Sequence, residues 1–109
     1  MMSDSYKAVF LIPVLSNKKL DDDGWFFESS ERLKSDVISK IQKSLNLNFK
    51  EEYYGTVVYE GNGVKASVFY DDNHQIEQIY LQIYGVSCLQ IIDDIKDQFV
   101  SSNVEVFVP

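Results

Sequence analysis

Apolar and polar residues alternate with different periods along this chain, and each change of period marks an element. Tyr6 to Ile12 is apolar on both alternating faces apart from Lys7, which predicts an inner strand covered on both sides. Pro13, with no N–H to give to a ladder, closes it. Ser16 to Gly24 (SNKKLDDDG) reads as a polar connection. From Ser29 or Ser30 onward the spacing becomes helical: Leu33, Val37, Ile41 and Leu45 recur every four residues, with Ile38 beside them. Asn46 and Asn48 weaken that helix at its end. Trp25-Phe26-Phe27 precedes it and reads as a staple whose rings pack under the helix start, in preference to an exposed partner anchor.

Three strands in a meander come next. Asn62-Gly63 supplies the positive φ that both central residues of a type I′ turn need, so a two-residue hairpin is expected there. That turn pairs Glu60 with Lys65 and puts Val57 and Tyr59 on one face with Val64, Ala66, Val68 and Tyr70. The following hairpin must keep this face apolar, because a slip of one residue inverts it. A turn centred on Asn73-His74 sets Val68 opposite Ile79, Ala66 opposite Leu81 and Val64 opposite Ile83. A five-residue loop would set Val68 against Gln78 and Val64 against Gln82, so burial selects the first register.

Gly85 closes the meander, and Ser87 with Gln90 forms a capping box for a second helix. Cys88, Ile91, Ile92, Ile95 and Phe99 supply its buried side, Ser101-Ser102-Asn103 breaks it, and Val104, Val106 and Val108 make a short final strand. The expected order is β-α-β-β-β-α-β. It predicts an α+β two-layer sandwich, with a mixed, mainly antiparallel sheet and two helices on one face.

At 109 residues the chain is sized for one domain, residues 1–109, and 45% hydrophobic content argues against disorder. A single Cys excludes an intramolecular disulfide and a multi-cysteine metal knuckle. Ala8 to Leu15 (AVFLIPVL) is too short to span a bilayer and lacks the flanks of a secretory signal, so it reads as a buried strand of a cytosolic protein. Charge is split along the length. Met1 to Lys50 holds eight bases and seven acids (+1), Glu51 to Pro109 ten acids and two bases (−8), which sum to the net −7. An acidic C-terminal half repels phosphate backbones and attracts cationic partners.

Two surfaces follow as candidates for partner binding. If the helices cover one sheet face, the other carries Thr56, Val58, Glu60, Lys65 and Ser67, and with them Phe69, Gln78, Tyr80, Gln82 and Tyr84. Aromatic rings among amides and hydroxyls give contact area and adaptable hydrogen bonds. The same face would otherwise be a solvated sheet surface or the seam of a homodimer. The second candidate is Asp93, Asp94 and Asp97 on the second helix. Asp93 and Asp97 are a repulsive i,i+4 pair, and Asp97 lies where the macrodipole disfavours an anion. A cationic partner accounts for such a cluster, and a solvated helix face is its plainer reading.

Other motifs point to structure. Asp21-Asp22-Asp23-Gly24 lacks the alternate spacing and distant glutamate of a calcium loop and reads as solvated, so no metal site is assigned. Asp71-Asp72 reads as a turn. Gly85-Val86-Ser87-Cys88-Leu89 is not a nucleophile elbow, and Cys88 sits on the apolar stripe with nothing to bring His74, the only histidine, to it as a base. No phosphate loop or cofactor motif is present, and no catalytic residue is assigned. Arg32, Lys34, Lys40 and Lys43 are interrupted by Glu31 and Asp36, a poor nucleic-acid stripe.

This format is a small acidic α+β domain with a tyrosine-rich sheet face, an acidic helix and no catalytic constellation. It resembles the immunity proteins that bacteria make against contact-dependent and other polymorphic toxins. The resemblance covers the whole chain as a format and rests on no motif, so it carries over no functional residue. It implies a cytosolic protein that binds one cognate toxin domain, often a basic nuclease, and blocks it without turnover. Three other readings stay open: a homodimeric adaptor, a small-ligand domain or enzyme, and a mimic of nucleic-acid charge.

Overall fold

A computed structural model describes residues 6–85, 88–100 and 102–109. Along them run β1 (Lys7–Pro13), β2 (Asn17–Asp21), β3 (Gly24–Glu28), α1 (Asp36–Leu45), β4 (Asn48–Tyr53), β5 (Thr56–Gly61), β6 (Val64–Tyr70), β7 (Ile76–Ile83), α2 (Cys88–Gln98) and β8 (Val104–Phe107). Six strands form one sheet in the order β4-β5-β6-β7-β1-β8, and β2 with β3 forms a separate two-stranded ribbon. Every recorded strand pairing is antiparallel. The fold is α+β, and the expected order of elements holds with three further strands, β2, β3 and β4, within it. Neither helix is long and apolar enough to cross a membrane.

The meander has the register that burial demands. Asn62 (φ 40°) and Gly63 (φ 82°) make the left-handed pair of a I′ turn, with Glu60 opposite Lys65 and Val57 opposite Val68. Across the next hairpin Val68 faces Ile79, Ala66 faces Leu81 and Val64 faces Ile83, and Glu77 bulges out near the turn. These side chains meet Val9 and Leu11 of β1, Val37, Ile38 and Ile41 of α1, and Ile92, Ile95 and Phe99 of α2 in one core. Both helices therefore lie on the same sheet face. Each fully buried Leu or Ile contributes about 1.5–3 kcal/mol of apolar transfer, so this layer is the main source of stability.

Helix α1 begins later than the apolar spacing implies. Leu33 is buried in the core, but its backbone N–H donates to the Ile76 carbonyl at 3.0 Å as an isolated bridge, so the chain is still extended there. At the other end Asn46 adopts the left-handed conformation (φ 56°), and the Leu47 N–H donates to the Gln42 carbonyl at 3.0 Å, the long bond of a Schellman close. Gly61 packs under this close. A Cβ there would overlap the Asn46 carbonyl, which is why the residue leading into the I′ turn has no side chain.

Two expectations are corrected in the N-terminal half. Ser16 to Gly24 is not an irregular connection: it holds β2 and the turn of a hairpin, with Leu20 paired to Trp25 and Asp21 to Gly24. Trp25 and Phe27 belong to β3 and do not staple the start of α1. They pack on the sheet face opposite the helices. Beyond β7, α2 buries Ile92, Ile95 and Phe99 as expected, with Cys88 and Ile91 at the margin of the core. Ser87, and with it the expected capping box, lies outside the described residues.

Candidate protein-binding surface

The sheet face turned away from the helices is laid out in rows of directly opposed residues. Its central row crosses all six strands: Glu51, Val58, Ser67, Tyr80, Phe10, Phe107. The row changes character from one edge to the other. At the β8 end it is aromatic, and the β2–β3 ribbon folds over it. Phe27 lies 4.9 Å from Phe10, Trp25 meets Phe107 edge-on at 4.9 Å, and Lys18 pairs with Glu105 at 3.0 Å while passing over the Phe107 ring. Its middle is not open surface, because Val58 and Ser67, with Thr56 beside them, are buried where an outward face was expected, and at the β4 end it finishes in an exposed carboxylate.

Of the residues expected to bind a partner, Tyr80 belongs to this aromatic cluster. Its ring stacks on Phe10 at 4.8 Å, and its hydroxyl donates to the Tyr6 hydroxyl at 3.1 Å. Burial, and then the bond to Tyr6, push the Tyr80 phenol well above its ordinary pKa. Phe69 and Gln78 form one flanking pair, Gln82 faces Lys65 in another, and all three are half-buried. Tyr84 is more open and packs against Tyr6 at 5.4 Å.

Asp93, Asp94 and Asp97 are exposed on α2, which lies on the other side of the sheet. The two expected sites are therefore not one surface: the tyrosine-bearing face and the acidic helix look in opposite directions. Ion pairing sharpens the second site. Bases of the N-terminal half neutralise four later acids, through Lys18–Glu105, Arg32–Asp71, Arg32–Glu77 and Lys50–Glu60. The other six acids of the C-terminal half, Glu51, Glu52, Asp72, Asp93, Asp94 and Asp97, are exposed and have no ion-pair partner among the described residues.

Sequence reasoning missed the β4–β5 hairpin. Tyr54 (φ 47°) and Gly55 (φ 79°) form a second left-handed two-residue turn, and Tyr53 is paired with Thr56 across it. Tyr54 is 100% exposed, Phe49 61% and Tyr53 48%. A tyrosine in a left-handed turn carries roughly 1–2 kcal/mol of backbone strain. Fully exposed, with only the Tyr53 ring edge-on at 6.3 Å, it has little packing to offset that strain. The signal was the dipeptide Tyr-Gly before the apolar run of β5, which lacks the Asn or Asp that usually marks such a turn.

Among the described residues the only histidine and the only cysteine lie beyond opposite ends of β7. His74 sits at the tip of the β6–β7 turn (φ 61°), stacked on Tyr70 at 4.6 Å, while Cys88 begins α2 beyond the far end of β7. A strand of that length holds them roughly 25 Å apart. Asp21 accepts a hydrogen bond from the Asp23 N–H at 2.8 Å as part of the β2–β3 turn. Among the described residues no three His, Cys, Asp or Glu side chains gather as metal ligands. A cleft of about 850 Å³ opens between the start of α1, the end of α2 and the β1–β2 turn, floored by Leu33, Val37 and Phe99. Its rim arginine, Arg32, is already committed to Asp71 and to the Ser29 and Glu31 carbonyls.

Comparison with protein-family models, with curated proteins and with solved structures found no match for this chain.

Proposed function

We propose that this protein is a non-catalytic, cytosolic binding domain that occludes a cationic protein partner, in the manner of an immunity protein bound to a basic toxin domain. One observation carries the reading. Six exposed carboxylates of the C-terminal half have no ion-pair partner among the described residues, although five of the chain's ten Lys and Arg residues form no ion pair there either. Like charges left unpaired raise the energy of the free protein, and a partner bearing Lys and Arg relieves them. Such a field accelerates encounter and makes association salt-sensitive, while exposed aromatic side chains set how long the complex lasts.

The experiment is capture of the partner on immobilised protein at low and high salt, followed by reconstitution from purified components. The reading expects a one-to-one complex with a basic protein whose own activity stops on binding. A partner that leaves with its activity intact, or one that is chemically changed by this protein, contradicts it. The cleft of about 850 Å³ favours a small-ligand domain instead. Thermal stabilisation by a metabolite, with no protein partner captured, would select that reading.

A further inference from the structure

We propose that β4 is the docking edge, where an extended, Lys- or Arg-bearing segment of a protein partner adds as a seventh strand beside it. This rests on the cationic-partner reading and names its surface. Strand β4 ends the six-stranded sheet on one side, and all six of its residues are exposed. Tyr53 and Thr56 flank a two-residue turn and so form a hydrogen-bonded pair. Alternation along the ladder then turns the backbone N–H and C=O of Glu52 away from β5 toward solvent. Unpaired edges of this kind are usually blunted by charged side chains, lysine above all, by proline, by a bulge or by a covering element. The opposite edge follows that rule: β8 has four residues, with Lys18 on Glu105 and Trp25 over Phe107. On β4 the one lysine, Lys50, sits at the bulge and is held by Glu60 at 3.1 Å, which leaves Glu51 to Tyr53 regular and open.

The side chains say what the added strand carries. Glu51 and Glu52 point to opposite faces of the edge without an ion-pair partner among the described residues. Lys or Arg on either face of an incoming strand therefore meets a carboxylate. Phe49, Tyr53 and Tyr54 flank them as exposed rings, the kind of anchor that fills a partner's pockets. A second copy of this chain fits poorly. Antiparallel self-pairing brings Glu51 and Glu52 within about one or two strand spacings of their own copies, between molecules that each carry −7. Strand addition supplies affinity from the main chain and specificity from alternate side chains.

The test is nuclear magnetic resonance on isotope-labelled protein at low salt. The probes are a short synthetic peptide of alternating threonine and lysine, and its counterpart with glutamate for lysine. The lysine peptide should shift the amides of Phe49 to Tyr54 and slow exchange of the Glu52 amide at least about tenfold. Glu52→Pro removes the outward N–H without touching the bonds to β5 and should abolish this. Glu51→Lys with Glu52→Lys, which leaves the backbone donors in place, should weaken it by roughly tenfold or more. Shifts confined to Asp93–Asp97 would overturn the edge assignment while the cationic-partner reading stands. Equal binding of the glutamate peptide, or a dimer that protects the Glu52 amide with no peptide present, would also overturn it. No shift anywhere would overturn both.

Discussion

The Arg32 guanidinium donates through Nε to Asp71 Oδ2 at 2.8 Å and so ties the segment leading into α1 to the β6–β7 turn. Asp71 is the organiser of that turn. Its other carboxylate oxygen accepts the backbone N–H groups of Asn73 and Gln75. The Gln75 N–H, then the Arg32 side chain, hold its carboxyl below the usual carboxylate range. A carboxyl depressed by folding stabilises the fold above its unfolded pKa, and that contribution is lost as the pH falls through the folded value. Asp71→Asn should therefore flatten the loss of stability below about pH 4, measured by urea unfolding across that range. Arg32→Ala should lower the melting temperature by a few degrees at neutral pH. An unchanged acid limb in Asp71→Asn would contradict this role.

Tyr54→Asn separates stability from binding. Asn is preferred in the left-handed turn position that Tyr54 holds at φ 47°, so the variant should be more stable by about 0.5–1 kcal/mol in denaturant unfolding. The same change removes a fully exposed ring from the docking edge and should weaken partner binding about tenfold. Loss of stability together with unchanged binding would mean that the ring serves the fold alone.

Trp25 is the only tryptophan, and it packs edge-on against Phe107, so its emission reports whether the β2–β3 ribbon is seated. Phe107→Ala should shift that emission to the red. It should also cost about 1–3 kcal/mol, less than a fully buried Phe because Phe107 is half-buried. Emission that does not move would place the ribbon's hold elsewhere.

The Tyr80 phenol is held protonated by burial and by its bond to Tyr6. A group whose folded pKa is raised stabilises the fold below its unfolded pKa and loses that contribution as pH rises above about 10. Tyr80→Phe should therefore unfold at a higher pH than the parent, followed by circular dichroism. An identical alkaline midpoint would show that Tyr80 does not govern that limb.

The parts of this fold legible in the sequence are those where local chemistry and burial agree. Asn62-Gly63 announces its turn, and the alternation of Val64, Ala66 and Val68 against Ile79, Leu81 and Ile83 leaves one register. Strand β4 (NFKEEY) was invisible because it buries nothing, so no alternation betrays it, and its turn carries Tyr in place of Asn. The β2–β3 ribbon was hidden by three consecutive aromatics, which mask a period of two, and by an acidic turn that reads as solvated loop. Leu33 fits the helical spacing yet pairs with Ile76 as an extended residue: spacing fixes which side chains reach the core, not the backbone that brings them there. At the candidate site, the exposed acids of α2 and the alternation that puts Gln78, Tyr80 and Gln82 on one face were legible, but not the burial of Thr56, Val58 and Ser67 within that face. Their separation by the sheet, and the exposed edge formed by β4, required the topology.

The most direct test of the central claim is the association rate of this protein with its captured partner as a function of salt. The parent would be compared with Glu51→Lys/Glu52→Lys and Asp93→Lys/Asp94→Lys/Asp97→Lys variants. An acidic occluding domain predicts a one-to-one complex, association that slows steeply as salt rises, and a shallower salt dependence when these carboxylates are reversed. Association that is indifferent to salt and to both sets of reversals would contradict it.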